Sequence, residues 1–295
     1  MRRVARARTH RLWSSHVQHA ARQLIGRYLS SCNKQSIPVC LDDLATIQHC
    51  DVEHTALPSG THGLLVPGSG RFSIKIDVRH ISRTRQRFTL AHEIAHTFFY
   101  RHDAKGRITK VVSVPPDEEE RLCDAAAGLL TVPRELLCRA VGAERRLNVG
   151  TLLGVARRFD VSAEVAARRI LDEIPVTTIG FCEWINEETY LKTRRSRFSR
   201  AEDYEPFVLA WLVPPRSAGD IDPPRGTRLR KGGALSEVLS GKNSSVRGET
   251  VKVGRRLTAT LDRVTLVRRN ERVHKIVASI TGFVESNREP EFFRF

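Results

Sequence analysis

The sequence has 295 residues, 40% of them hydrophobic, which is enough for two or three domains with buried cores. No stretch approaches the roughly 20 apolar residues of a membrane-spanning helix, so we expect no membrane partner. The net charge of +16 indicates solubility and non-specific attraction to polyanions, without indicating a fold. The six cysteines include no C-x-x-C pair, which argues against a cysteine zinc knuckle and favours reduced thiols in a cytoplasmic protein.

The amino-terminal region is basic and begins with helical periodicity. The first 41 residues are rich in arginine and contain no acidic residue. Organellar transit peptides share this composition, but we favour a basic arm that leads into a helix at Trp13–Leu29. A short helix is expected at Leu41–Gln48. Two strands, Gly63–Val66 and Phe72–Ile76, should form a small sheet joined by the turn Pro67–Gly70.

The middle of the chain has the pattern of several helices. An acidic run after Pro116 suits the first turn of a helix, because the helix dipole favours negative charge there. Ser162 is expected to be the N-cap of the second helix of a helix–turn–helix. The predicted helices are Arg83–Tyr100, 117–131, a helical stretch over 134–173, and within it the pair Leu152–Phe159 and Ala163–Leu171.

The last 120 residues change to strand-like alternation of Val, Ile, Thr and Phe with polar residues. A long loop is expected at Pro214–Gly233. We therefore predict an α+β protein with a mainly helical first domain that contains a small sheet at 1–133, a helical segment at 134–175 and a β-rich domain at 176–295. The predicted strands of this last domain are Thr177–Trp184, Phe207–Val213, Thr250–Val253, Val264–Arg268 and His274–Val284.

The segment His92-Glu93-Ile94-Ala95-His96 is an H-E-x-x-H motif within the predicted helix Arg83–Tyr100. Histidines at i and i+4 lie about 40° apart around the axis, so both imidazoles can reach one metal ion. Glu93 lies about 60° from His96, where its carboxylate can take a proton from a metal-bound water. A solvated helix face can carry the same letters by chance, but the opposite face has core spacing. The motif predicts a zinc peptidase site with Glu93 as catalytic base.

A catalytic zinc also needs a third protein ligand and an open position. His102 has the spacing of the third metzincin histidine, but Phe99 stands where metzincins have glycine, and Met1 is the only methionine available for a Met-turn. Glu120 is the favoured ligand, with Glu119 as its rival if the helix is rotated by one residue.

Asp124 lies one helical turn after Glu120 and therefore on the same helix face. It is expected to accept a hydrogen bond from a ligand histidine and so fix the tautomer of that ring. Two histidines and Glu120 would form a gluzincin arrangement with a short connection. Zinc is the expected metal, and manganese remains an alternative.

The residues Arg87–His96, R-F-T-L-A-H-E-I-A-H, resemble the R-F-T-x-A-H-E-x-x-H box of the ImmA/IrrE family of metallo-endopeptidases. Glu120–Pro133 is similar to the downstream E-x-x-A-N/D-x-F-A-x-x-L-x-x-P box, with Cys123 in place of the usual Ala and Ala126 in place of Phe. The resemblance covers about residues 15–173. Because two separate boxes agree in order and spacing, it is specific.

The resemblance implies a regulatory peptidase that cleaves a helix–turn–helix repressor and so relieves repression. Radiation-response members have a similar layout that ends in a GAF-like sensor domain, which would correspond to residues 176–295. A second interpretation is a DNA-binding regulator with a structural or inactive metal site. It is suggested by the positive charge and the predicted helix pair, although the second helix offers only Arg168 and Arg169 for DNA contacts. We expect nucleic acid to be bound non-specifically, if at all.

Overall fold

The structure is a computed structural model, and its described residues form two compact units. The first comprises Met1–Gly142 with Gly154–Arg169, and the second comprises Ala143–Leu153 with Ile170–Phe295. None of the helices in the described ranges combines the length and apolarity needed to cross a membrane. The described residues are 2–31, 36–79, 81–103, 105–111, 114–142, 147–174, 179–193, 204–214, 227–232, 234–240, 247–248, 250–252, 257–269 and 272–285.

Helices dominate the first unit and the segment that follows it. The first helix buries one stripe of residues at helical spacing, including Val17, Leu24 and Tyr28. The helices, with a 3-10 turn at Thr97–Phe99, are α1 Arg2–Ser31, α2 Leu41–Ile47, α3 Arg83–His96, α4 Pro116–Thr131, α5 Arg134–Val141, α6 Val149–Phe159 and α7 Ala163–Glu173.

A three-stranded sheet lies in the same unit, in the order β1-β3-β2, with β1 parallel and β2 antiparallel to β3. The predicted pair of strands is present, and the register pairs Gly63 with Ile76. A two-stranded hairpin, β4 with β5, follows α3. The strands are β1 Cys50–Thr55, β2 Gly63–Pro67, β3 Phe72–Asp77, β4 Tyr100–His102 and β5 Ile108–Lys110.

Helix α3 begins and ends for local reasons. Ser82 is its N-cap, and the hydroxyl oxygen accepts from the backbone N–H of Arg85 at 3.4 Å. The predicted end at Tyr100 is wrong, because the helix stops at His96. The Thr97 hydroxyl donates to the Ile94 carbonyl at 2.6 Å, and Tyr100 already pairs within the hairpin. The buried face expected from the sequence is present, and Ile94 is fully buried.

Helix α4 packs against α3 and α1. Pro116 occupies the first turn, where its missing N–H costs no hydrogen bond, and acidic residues follow it. Its buried positions are mostly small or aliphatic: Leu122, Cys123, Ala126, Ala127, Gly128 and Leu130. This packing brings the first turns of α4 alongside the histidines of α3.

The predicted helix–turn–helix is formed by α6 and α7. Ser162 is the N-cap, and its hydroxyl accepts from the backbone N–H of Val165 at 3.2 Å. Asp160 in the turn has a left-handed backbone with φ of 53°, which Asp tolerates better than most residues. Its carboxylate faces Arg83 at 3.0 Å and Arg87 at 3.7 Å, both on α3.

The second unit is built on a six-stranded sheet in the order β8-β7-β6-β11-β10-β9, in which neighbouring strands are antiparallel. Its core includes the buried side chains of Trp184, Leu209 and Ile276. The elements are β6 Gly180–Asn186, α8 Glu187–Thr193, β7 Tyr204–Val213, β8 Arg228–Arg230, α9 Ala234–Leu239, β9 Thr250–Lys252, β10 Leu257–Arg269 and β11 Arg272–Glu285.

The α+β class with a sheet-rich carboxyl-terminal region is confirmed. The expected loop Pro214–Gly233 is wrong at residues 228–230, which form β8, while residues 215–226 lie outside the described ranges. The three-part division of domains and the GAF-like character of residues 176–295 stay predictions.

Replacing Ile94 by Ala removes a fully buried side chain from the core face of α3. We expect the free energy of unfolding to fall by about 2–5 kcal/mol, because lost burial and a residual cavity add together. Val111→Ala, at a side chain that is 48% exposed, is the control and should change it by less than about 0.5 kcal/mol. Urea denaturation followed by circular dichroism measures both, and equal midpoints would contradict the expectation.

Candidate metal centre

The two histidines of α3 point their rings at each other. The Nε2 atoms of His92 and His96 lie 3.1 Å apart, and both side chains are mostly buried. Helical spacing places them one turn apart on one face, as the sequence requires. Two neutral imidazole nitrogens at this distance can donate lone pairs to a shared cation.

Glu120 on α4 completes this group. One carboxylate oxygen lies 3.1 Å from His92 Nε2, and the other lies 3.5 Å from His96 Nε2. Around a tetrahedral zinc with bonds of about 2.0–2.1 Å, donor atoms are separated by about 3.4 Å. The three observed separations bracket that value. The residues present therefore fit a zinc ion held by two imidazoles and a carboxylate.

The opposite nitrogen of each imidazole also meets a carboxylate on α4. His92 Nδ1 lies 2.9 Å from Asp124 Oδ1, and His96 Nδ1 lies 3.1 Å from Glu119 Oε1. A carboxylate at Nδ1 favours the proton on that nitrogen and leaves the Nε2 lone pair free. Glu119, which the sequence analysis treats as a rival ligand, thus contacts the other side of the ring from the donor atom.

The surroundings of the two histidines shift their pKa values in opposite directions. Burial lowers the pKa of His92, but the hydrogen bond to Asp124 and nearby carboxylate charges outweigh it, so its pKa is raised. Burial and the neighbouring His92 lower the pKa of His96, and the contact with Glu119 only partly opposes this. The second ring is thereby held in the neutral form that a metal requires.

Glu93 is buried beside the histidines, with only 8% of its surface exposed. Burial raises the pKa of its carboxyl to about 7, and Glu120 adds to the effect, while the charge of His92 and a hydrogen bond from the Leu65 backbone act against it. A carboxyl with a pKa near neutrality can both accept and return a proton.

Gly63, the first residue of β2, leaves the space that Glu93 occupies. A Cβ at this position would lie 2.6 Å from Glu93 Oε1 and 2.5 Å from the methyl carbon of Thr89. Any side chain there would have to displace the glutamate. Glycine at the start of an otherwise apolar strand is the sequence signal of such a close approach, although it does not identify the partner.

Cys123 brings a thiol to the same cluster. Its sulfur and one nitrogen from each of His92 and His96 lie within 4.8 Å of one another. Burial raises the pKa of this thiol strongly, and the surrounding carboxylates raise it further. Glu120 has the closer geometry for a third ligand, because its two oxygens lie 3.1 Å and 3.5 Å from the Nε2 atoms of His92 and His96. Cys123 was not predicted as a ligand from the sequence.

His102 lies outside this cluster of metal-ligating side chains in the described chain. It ends β4 and contacts the rings of His49 and Phe72, at 5.8 Å and 6.2 Å between centroids. His102 is exposed and ends a strand, so it lies on a different element from the two histidines of α3.

Two imidazoles and a carboxylate around one point, with a buried acid alongside, form the kind of centre that metal-dependent hydrolases use. Residues 70–171 match the family model described as IrrE N-terminal-like domain, Peptidase M78. This part of the chain is similar to that metallopeptidase family, in agreement with the resemblance found in its sequence.

No curated protein matches the chain. Among solved structures, a Mycobacterium tuberculosis transcriptional regulator is similar over 91% of this chain and 75% of its own, at 10% identity and a TM-score of 0.42.

Glu120→Ala removes the carboxylate donor, so we expect zinc content at equilibrium to drop sharply. His102→Ala and Asp117→Ala, the latter an acid in the first turn of the same helix, should leave it unchanged. Inductively coupled plasma mass spectrometry after dialysis against a weak chelator measures the metal per chain. Loss of metal in His102→Ala with full metal in Glu120→Ala would restore the metzincin arrangement.

Proposed function

We propose that this chain is a zinc-dependent endopeptidase that cleaves a helix–turn–helix transcriptional repressor. The single observation that supports the proposed peptidase activity is the convergence of His92, His96 and Glu120 beside the buried Glu93. The family match over residues 70–171 supports it independently.

Zinc is favoured over manganese by the donor set. Imidazole nitrogen suits zinc, whereas manganese favours sites made of carboxylate, carbonyl and water oxygens. His92 and His96 would bind through Nε2 and Glu120 through its carboxylate, while Asp124 and Glu119 hold the rings. The bound ion would supply a Lewis acid that polarises a peptide carbonyl and activates water.

Glu93 would move the proton. Its carboxylate would take a proton from the attacking water and pass it to the amine of the leaving peptide. Burial gives the group a pKa of about 7, so it can do both near neutral pH. The space left by Gly63 allows it to occupy this place without strain.

Strand β2 offers a surface for an extended peptide. It lies at the edge of its three-stranded sheet. Asp77 N–H donates to the His62 carbonyl and Gly68 N–H to the Arg71 carbonyl, both at 2.9 Å. Opposite residues alternate in hydrogen bonding, so the backbone groups of Gly63 and Leu65 face the free edge.

That edge lies directly beside Glu93, because the Leu65 N–H donates to its carboxylate. A substrate would pair with the other outward backbone groups of Gly63 and Leu65. A substrate segment that adds to the edge as a strand would meet the site in an extended conformation. This favours a peptide over a compact small molecule as substrate.

The repressor substrate is proposed from the family resemblance. Such a protein sits on DNA, and the net charge of +16 would draw the enzyme toward it by salt-dependent attraction. The β-rich unit is proposed to be the sensory part, and the cytoplasm the place of action.

The contacts of the α7 arginines argue against the alternative, a DNA-binding regulator with an inactive metal site. Arg169 is buried, and its Nε donates to the Val132 carbonyl at 3.1 Å. Arg168 pairs with Glu164 at 2.9 Å within the same helix. Arg169 is therefore unavailable for a DNA contact, and the charge of the exposed Arg168 is offset by Glu164.

Glu93→Gln keeps the size of the side chain and removes the base. We expect kcat/KM for a helix–turn–helix repressor to fall by about 100- to 10,000-fold, because general-base catalysis contributes on that order. Zinc content should remain at the wild-type level, since Glu93 is not a ligand. Cleavage is followed by gel electrophoresis and mass spectrometry of the products.

Wild-type activity in the Glu93→Gln variant would overturn the peptidase mechanism. If instead the wild-type chain binds zinc but leaves the repressor intact while shifting its promoter DNA in a salt-resistant manner, the regulator alternative is correct.

Gly63→Ala tests the close approach of β2 to Glu93. We expect kcat/KM to fall by roughly 100-fold, since displacing a catalytic group by about 1 Å has that effect. Zinc affinity should be unchanged. The matched control is Gly26→Ala in α1, where an added Cβ meets nothing within 4 Å and activity should remain. Equal activity of the two variants would show that Glu93 has room to shift.

A further inference from the structure

One carboxylate of the centre has two partners from different parts of the fold. Glu119 Oε1 lies 3.1 Å from His96 Nδ1, and Glu119 Oε2 lies 2.6 Å from Lys110 Nζ. Lys110 is the last residue of β5, in the hairpin that follows α3. The chain of contacts therefore runs from the hairpin through α4 to a proposed zinc ligand.

The two residues linked to His96 by these contacts differ in burial. The Glu119 side chain is 10% exposed, whereas Lys110 is 42% exposed and extends over the Tyr100 ring at 5.8 Å. A buried carboxylate is costly without a partner for each oxygen. One oxygen accepts from the lysine and the other faces the imidazole, so each oxygen of the carboxylate has a partner that orients it.

The other histidine is held differently. Asp124, which contacts His92 Nδ1, is 61% exposed and has no hairpin residue bound to it in the described chain. Because Asp124 is exposed, a water molecule could also accept a hydrogen bond from His92 Nδ1 if this carboxylate were absent. The His96 side depends on a protein contact, because Glu119 is shielded from solvent.

We propose that Glu119 and Lys110 together are positioning residues for His96, so that the β4–β5 hairpin is part of the metal centre. Glu119 sets the ring so that Nε2 faces the metal, and Lys110 fixes Glu119. This inference rests on the proposed zinc site and adds to it a dependence on a residue outside both metal-bearing helices.

The first test is zinc affinity in Glu119→Gln, measured by competition with a chromophoric chelator. The amide must turn its oxygen to the imidazole, which leaves its NH2 facing the lysine ammonium, so the contact is broken at one end. We expect zinc affinity to fall by about 10- to 100-fold, as for other residues that orient a ligand histidine. Glu118→Gln, at a neighbouring buried glutamate, is the control and should bind as the wild type does.

The second test uses Lys110. Lys110→Met keeps the unbranched chain up to the ε position without the donor, and Lys110→Arg keeps a cationic donor. We expect zinc affinity to fall in the first variant and to be retained in the second. The double variant Lys110→Met with Glu119→Gln should be no weaker than Glu119→Gln alone, because the two residues act through one contact. Lys75→Met, which removes an exposed ion pair with Glu53, is the control.

Substitution of zinc by cobalt gives a measurement that does not depend on the overall stability of the protein. The visible spectrum of the cobalt protein reports the geometry at the metal, so it should change in Glu119→Gln and Lys110→Met and remain in Lys110→Arg. If Glu119→Gln is poorly folded by circular dichroism, the two Lys110 variants decide the question.

Equal zinc affinity of Glu119→Gln and Glu118→Gln, in a wild type that binds zinc and cleaves protein, would overturn this inference alone. Equal affinity of Lys110→Arg and Lys110→Met would remove Lys110 from it. A wild type that binds zinc with the expected dependence on Glu119 but cleaves nothing would overturn the proposed peptidase and keep the positioning role. A wild type that binds no zinc would overturn both.

Discussion

The packing of α3 against α4 is the contact on which the metal centre depends. Neither helix alone brings the proposed ligands together, because α3 carries the two imidazoles and α4 carries the carboxylates. The buried residues of these two helices include small ones, among them Ala91 and Ala95 on α3 and Ala127 on α4. Short side chains permit a close interaxial distance. At that distance, Glu120 reaches both histidines, at 3.1 Å and 3.5 Å.

The same packing buries several ionisable groups of the centre beside groups that offset the cost of burial. Glu93 responds to burial by a pKa of about 7, whereas His92 and His96 obtain carboxylate partners at Nδ1. Glu119 in turn obtains Lys110. Because the interior penalises an isolated charge, these contacts orient the side chains as well as stabilise them. Orientation is what a metal site needs, since donor atoms must converge within a few tenths of an ångström.

The elements around this centre are strand β2, which lies beside Glu93, and the helix pair α6–α7. Strand β2 passes Glu93 at a glycine and lies at the edge of its sheet, on the side from which the proposed peptide substrate would approach. The helix pair α6–α7 supports the fold through the buried Arg169, which contacts the end of α4. A helix–turn–helix pattern in the sequence therefore does not by itself indicate DNA binding, because the same geometry can serve as structural packing.

Local patterns in the sequence determined much of this protein. Helical periodicity predicts α3 and α4, spacing places His92 and His96 on one face, and the two family boxes predict the fold around them. Only the tertiary structure decided what the faces of α4 contact. Periodicity says that Glu119 and Glu120 point in different directions, but the rotation of α4 against α3 determines that one meets an Nδ1 and the other the Nε2 pair. The contacts of Lys110 and Gly63 join residues remote in sequence, and no local pattern encodes such pairs.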